Sequence, residues 1–175
     1  MKYIITSVTC LILLTTSIMA QRIEDVFIQS HITKLTNAKA YTLKVAELMP
    51  ETKYDFKPHA DEMDFGWQLI HISQNLCWLS SSYINEDANP LTAEDGKLTS
   101  KKDISSLVAK AYDFAIAALQ NLPIKSLTDT VKFFAGPMNR LQIINLIEDH
   151  QTHHRAQLLV YLRLNGIKPP DYVGW

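Results

Sequence analysis

Residues 148–170 read EDHQTHHRAQLLVYLRLNGIKPP, and Asp149-His150-Gln151-Thr152-His153-His154-Arg155-Ala156-Gln157 places half of the chain's six histidines in five consecutive positions of an otherwise apolar helical run. His150 and His154 are four apart. An α-helix therefore sends both imidazoles from one face, one turn above the other, at a separation that a single metal ion can bridge. At about 100° per residue, with His150 as zero, His154, Gln157, Tyr161, Ile147 and Ile143 fall within roughly 60° of it as one stripe, the expected buried face. His153 lies about 60° to the other side, nearer the margin, and is the weaker ligand candidate.

Working outward, this segment is the last of four apolar periodic runs. It starts near Met138, after Gly136-Pro137, and Asn165-Gly166 is its C-terminal signal. The first run spans about Ile23 to Met49 and is closed by Pro50; the second spans about Met63 to Ile84; the third begins near Asp103, with Ser100 as its cap, and ends at Leu122 before Pro123. Glycines are few, and the prolines fall between the runs, which is the punctuation of a helical protein with short breaks. Four amphipathic helices on one compact chain predict an all-α four-helix bundle. Two connections are long: Asn85 to Lys102, which must cross or cover the bundle, and Ile124 to Ala135, where Thr130, Val131, Phe133 and Phe134 suit a short hairpin or an extended lid between helices 3 and 4.

On the second run His71 shares its stripe with Trp67, Gln74, Asn75 and Trp78, so both histidine sets are expected to point towards the bundle axis. His71, His150 and His154 would form an all-nitrogen facial set with open positions, as expected of a reactive metal centre. Burying three imidazoles costs on the order of 1–3 kcal/mol for each unpaired polar group, and a shared metal removes that cost. The competing reading is that these histidines bond to Asp149, Asn75, Gln74, Gln157 or Tyr161, or reach solvent near a bundle end. Cys77, six positions after His71, falls about 240° around the helix and reads as an inert buried thiol. His59 and His31 read as surface residues. Trp67 and Trp78 suit core packing more than pocket lining, and Trp175, on a tail that leaves the helix after Pro169-Pro170, reads as a packing anchor. Asp149 points about 100° away from His150, so it could support only a different imidazole. The stretch Asp55-Phe56-Lys57-Pro58 is expected to fix a helix connection.

Residues 1–20 read as a secretory signal peptide: Lys2 supplies the positive end, Leu11-Ile12-Leu13-Leu14 lies in the apolar stretch, and Ala20 stands at the cleavage position. A retained membrane anchor is the alternative, because the uncharged run is just long enough to span. Cleavage would leave residues 21–175 as one domain with 16 basic and 18 acidic side chains, exported to the periplasm or secreted, with no membrane attachment. The basic residues are scattered, and Lys101-Lys102 is followed by Asp103, so no nucleic-acid surface is expected. Cys77 is the one cysteine left after cleavage, so no internal disulfide is expected.

The run from Glu148 to Pro170 resembles the last helix of the DinB-like (DinB/YfiT-like) metal-binding family, whose signature is HxxxH followed by Arg, a small residue and Gln. Asn37-Ala38-Lys39-Ala40-Tyr41-Thr42 with Met49-Pro50 is similar to that family's first helix, and Phe65-Gly66-Trp67-Gln68-Leu69-Ile70-His71-Ile72 to the entry of its second, where the third ligand resides. The likeness spans about residues 30–172. Ala156 stands where the family often has glycine, a change a helix tolerates. The resemblance implies a divalent ion on His71, His150 and His154: zinc or nickel foremost, with iron, manganese or copper also suited to the site. It implies a metal-dependent enzyme acting on a small-molecule substrate, either a thiol S-transferase-like protein or a hydrolase, with no catalytic residue beyond the ligands assigned. It also makes a homodimer the expected assembly. The alternative from another class is a secreted, non-catalytic metal-binding or stress-associated protein.

Overall fold

The computed structural model describes the backbone of residues 2–175 and the side chains from Asp25 onward, so the leader expected over residues 1–20 lies outside the described side chains. Among the described residues no helix is long and apolar enough to cross a membrane. Four helices carry the fold: α1 (Lys2–Leu48), α2 (Phe65–Leu79), α3 (Lys101–Asn121) and α4 (Arg140–Leu164). A two-stranded antiparallel hairpin, β1 (Thr130–Phe133) and β2 (Gly136–Asn139), fills part of the connection before α4, pairing Thr130 with Asn139 and Phe133 with Gly136.

The starts of α2, α3 and α4 are written locally. The Asp64 carboxylate accepts from the Trp67 amide at 2.7 Å, and the Ser100 hydroxyl accepts from the Asp103 amide at 3.1 Å. Asn139 and Gln142 form a reciprocal capping box, both bonds at 2.9 Å. α4 stops where Gly166 takes φ of 73°, letting its amide reach the Arg163 carbonyl and the Ile167 amide the Leu162 carbonyl. That is the Schellman pattern which satisfies the last carbonyls. Helix α2 ends differently from its expected run to Ile84: Ser80–Ile84 widens into a π turn, with the Asn85 amide bonded to the Ser80 carbonyl at 3.1 Å.

Packing sets the order around the bundle. α1 packs against α3 and α4, and α2 packs against the same two helices, so α1 faces α2 across one diagonal and α3 faces α4 across the other. Leu35, Val45, Met49, Leu69, Ile72, Leu76, Val108, Ala115, Ile144 and Leu158 fill the centre and are fully buried. The loop after the π turn carries a 3₁₀ turn, Ala93–Lys97, that lies on α2: a Cβ on Gly96 would stand 3.1 Å from the Gln74 amide nitrogen and 4.0 Å from the Trp67 ring. The hairpin closes one end through an aromatic cluster in which Phe133 meets Trp78 and Tyr83.

Candidate metal centre

Helices α2 and α4 are direct neighbours, and their facing sides carry the histidines. His71 and His150 are half-buried and His154 is buried, and their ligand atoms all lie within 4.8 Å of one another. The imidazole centroids are 4.9 Å apart for His71 and His150, 4.6 Å for His71 and His154, and 4.5 Å for His150 and His154. Three nitrogen donors are thus positioned to bind one metal ion.

The protonation state suits coordination. Burial lowers the pKa of His71. Burial, followed by the charges of His154, His71 and His153, pushes His150 down to about 4. Burial, then His71 and His153, pushes His154 to about 4 as well. At neutral pH the rings are uncharged and their lone pairs are free, as a metal ligand requires.

The donor set fits a divalent ion on a further observation. His150 Nδ1 is buried without a hydrogen-bond partner among the described residues, whereas the Gln157 side chain lies beside His154 and partly offsets the lowering of its pKa. Neither Asp149, Asn75 nor Gln74 bonds to these imidazoles. Asp149 is exposed and lies apart. His154 is held instead by Gln68, whose Oε1 lies 2.6 Å from Nδ1. Gln68 is itself 1 % exposed and bonds through Nε2 to the Tyr161 hydroxyl at 3.3 Å.

The other candidate residues sort by position. Cys77 is fully buried, its thiol pushed up to about 12 by burial, and its side of α2 faces the core. His153 and His59 are exposed. His31, expected at the surface, is instead buried, with Nδ1 2.6 Å from the Glu148 carboxylate and its ring 4.1 Å from Phe27. Lys34 reaches the second oxygen of the same carboxylate at 2.6 Å. The physical reason is a second buried face on α4 that periodicity in apolar residues does not reveal. Glu148, Gln151 and Arg155 stand roughly 100° to 160° around from His150 and point into the contact with α1 and α3. There Gln151 accepts from the Tyr112 hydroxyl at 2.9 Å and from Arg155, whose guanidinium lies 5.2 Å from the Tyr41 ring centre.

Two tryptophans, Trp67 and Trp175, depart from expectation, while Trp78 packs against the core as expected. Trp67 is 37 % exposed and lines a cavity of about 150 Å³ with Tyr54, Asp55, Ile70 and Leu98, because its position at the start of α2 faces the covering loop. Trp78 is half-buried against the hairpin, stacked with Phe134 at 6.3 Å. Trp175 is no anchor: its ring is 68 % exposed, and the tail is held through its backbone carbonyl, which accepts from Asn37 Nδ2 at 2.6 Å. Phe56 fulfils the connecting role expected of its segment by packing edge-on to Tyr161 at 5.9 Å.

Comparison with known proteins agrees with this architecture. The chain is similar in structure to a DinB-like protein from Bacillus subtilis, with a TM-score of 0.68 at 20% identity over 82% of this chain and 96% of that one. It is similar to a DinB-like protein from Bacillus cereus with a TM-score of 0.65 at 23% identity, over 84% and 95% of the two chains. It is also similar to a conserved protein from Enterococcus faecalis with a TM-score of 0.67 at 16% identity, over 78% and 95%. No curated protein matches the chain significantly. The profile of the DinB family matches residues 27–174, a span that takes in the C-terminal part of α1, the other three helices and the three facing histidines, and the chain belongs to the DinB family.

Proposed function

We propose that this DinB-family protein is an exported, divalent-metal-dependent enzyme whose centre is held by His71, His150 and His154. The observation that carries the reading is the convergence of three neutral imidazoles from two helices with His150 Nδ1 buried and unpaired. Leaving such an atom without a partner costs on the order of 1–3 kcal/mol, which a shared ion would offset. A bound zinc or nickel ion with positions left open supplies Lewis acidity that lowers the pKa of a water or thiol. No fourth histidine, cysteine or carboxylate joins the group among the described residues, which favours exchangeable positions over a closed structural site. Thiol transfer and hydrolysis both suit this donor set.

The test is elemental mass spectrometry on the purified protein beside His71→Ala and His150→Ala, each reconstituted with zinc and nickel. Near-stoichiometric metal in the parent and loss in both variants is the expected result. A parent that stays metal-free removes the proposal. Metal-loaded protein inactive across thiol-conjugation, ester and amide substrates would leave metal holding without catalysis.

A further inference from the structure

The hydrogen bonds behind His154 have a direction. They run from α4 to α2, back to α4 and on to the chain just before α2: Nδ1 of His154 to Gln68 Oε1 at 2.6 Å, Gln68 Nε2 to the Tyr161 hydroxyl at 3.3 Å, and the Tyr161 hydroxyl to the Met63 carbonyl at 2.9 Å. The last group can only accept. Tyr161 must therefore donate to it, so the phenol oxygen accepts from the Gln68 NH₂. The amide oxygen is left facing His154, and Nδ1 has to carry the hydrogen. Rotating the amide by half a turn would set two acceptors, or two donors, against each other at one end or strand the Met63 carbonyl. Gln68 is 1 % exposed and Tyr161 3 %, so water is not at hand to repair a mismatch at the amide, and the other fault takes the Tyr161 hydroxyl away from the carbonyl of half-buried Met63.

We propose that Gln68 and Tyr161 are positioning residues that lock His154 in its Nδ1–H tautomer and commit its Nε2 lone pair to the metal centre. The inference rests on the metal-centre reading above and deepens it. The arrangement treats the histidines unequally. His154 is oriented before any ion arrives, while His150 Nδ1 has no partner among the described residues. Gln68 precedes His71 by three residues on the same face of α2, so one helix turn supplies both a ligand and the group that orients another ligand across the helix contact.

Two readouts test this on the full-length protein. Long-range proton–nitrogen NMR of the metal-free parent, with His154 assigned by comparison with His154→Ala, is expected to show the Nδ1–H pattern, and Gln68→Ala to show a shift towards Nε2–H. Zinc dissociation constants, from competition with a chromophoric chelator, are expected to weaken about 10- to 100-fold in Gln68→Ala. Gln68→Glu, which keeps an acceptor for Nδ1–H, should restore affinity to the parent's level or better, and Tyr161→Phe should fall between. An Nε2–H pattern on His154 in the parent, or unchanged zinc affinity in a folded Gln68→Ala, overturns the relay and spares the metal centre. A parent that shows Nδ1–H yet binds no zinc overturns the metal centre and leaves the tautomer lock standing. Should Gln68→Ala not fold, the parent's tautomer decides.

Discussion

Protonating His150 or His154 means charging a ring that is already surrounded by protein and by other imidazoles, and this makes the pair a source of pH-dependent stability. Their folded pKa values sit near 4, lowered chiefly by burial, whereas an unfolded histidine titrates near 6.5. Below about 6.5 the unfolded chain binds protons that the folded chain refuses. Stability of the metal-free protein is therefore whole above that value and declines as pH falls towards 4. Urea midpoints at pH 7.5 and 5 should show the lower value at pH 5, with a narrower gap in His154→Gln; an equal gap in the variant would remove His154 as a cause. Cys77 behaves oppositely: burial lifts its thiol to about 12, so a chromogenic disulfide reagent at pH 8 should label it only at the rate of unfolding. At this scale His71, His150 and His154 were legible, because helical spacing alone aligns two of them. Gln68 was not, because a glutamine among apolar residues announces a partner but not which one.

At the scale of the element, sequence and structure share the same punctuation. Ser100 and Asn165-Gly166 mark helix ends in both, since a cap is a contact between neighbours a few residues apart. Gly166 at φ of 73° has no L-residue substitute without strain, so Gly166→Ala should destabilise by about 1–2 kcal/mol in urea titration. Asn139→Ala, which opens the capping box of α4, should cost about 1 kcal/mol in the same assay. Stability unchanged in both would show that packing alone sets the ends of α4. The hairpin was legible in kind, though Gly136-Pro137, read as a break, is part of its second strand, where an edge position tolerates proline. The π turn at Ser80–Ile84 was not legible, because Tyr83 and Ile84 resume the apolar run after Ser80-Ser81-Ser82 and nothing in that spacing distinguishes a wider turn from a continued α-helix.

Across the whole molecule, α4 works on two sides. One face brings His150 and His154 to α2, and another sends Glu148, Gln151 and Arg155 towards α1 and α3. Glu148 is 2 % exposed and shared by His31 and Lys34. Glu148→Gln should lower stability by about 1–3 kcal/mol, because it leaves those partners imperfectly paired. Metal stoichiometry should stay at the parent's value, since the carboxylate lies on the far side of the helix. Lost metal in a folded Glu148→Gln would show the two faces to be coupled. The sequence by itself determined the four helices, the HxxxH stripe and a third histidine on another helix. All follow from periodicity, caps and spacing, which are properties of neighbouring residues. Only the tertiary structure decided that α1 lies diagonal to α2, that α2 and α4 meet with Gln68 behind His154, and that His31 is buried on Glu148. Those outcomes depend on which buried polar group meets which across helix contacts, and the pairing energy is collected only once residues far apart in the chain are packed together.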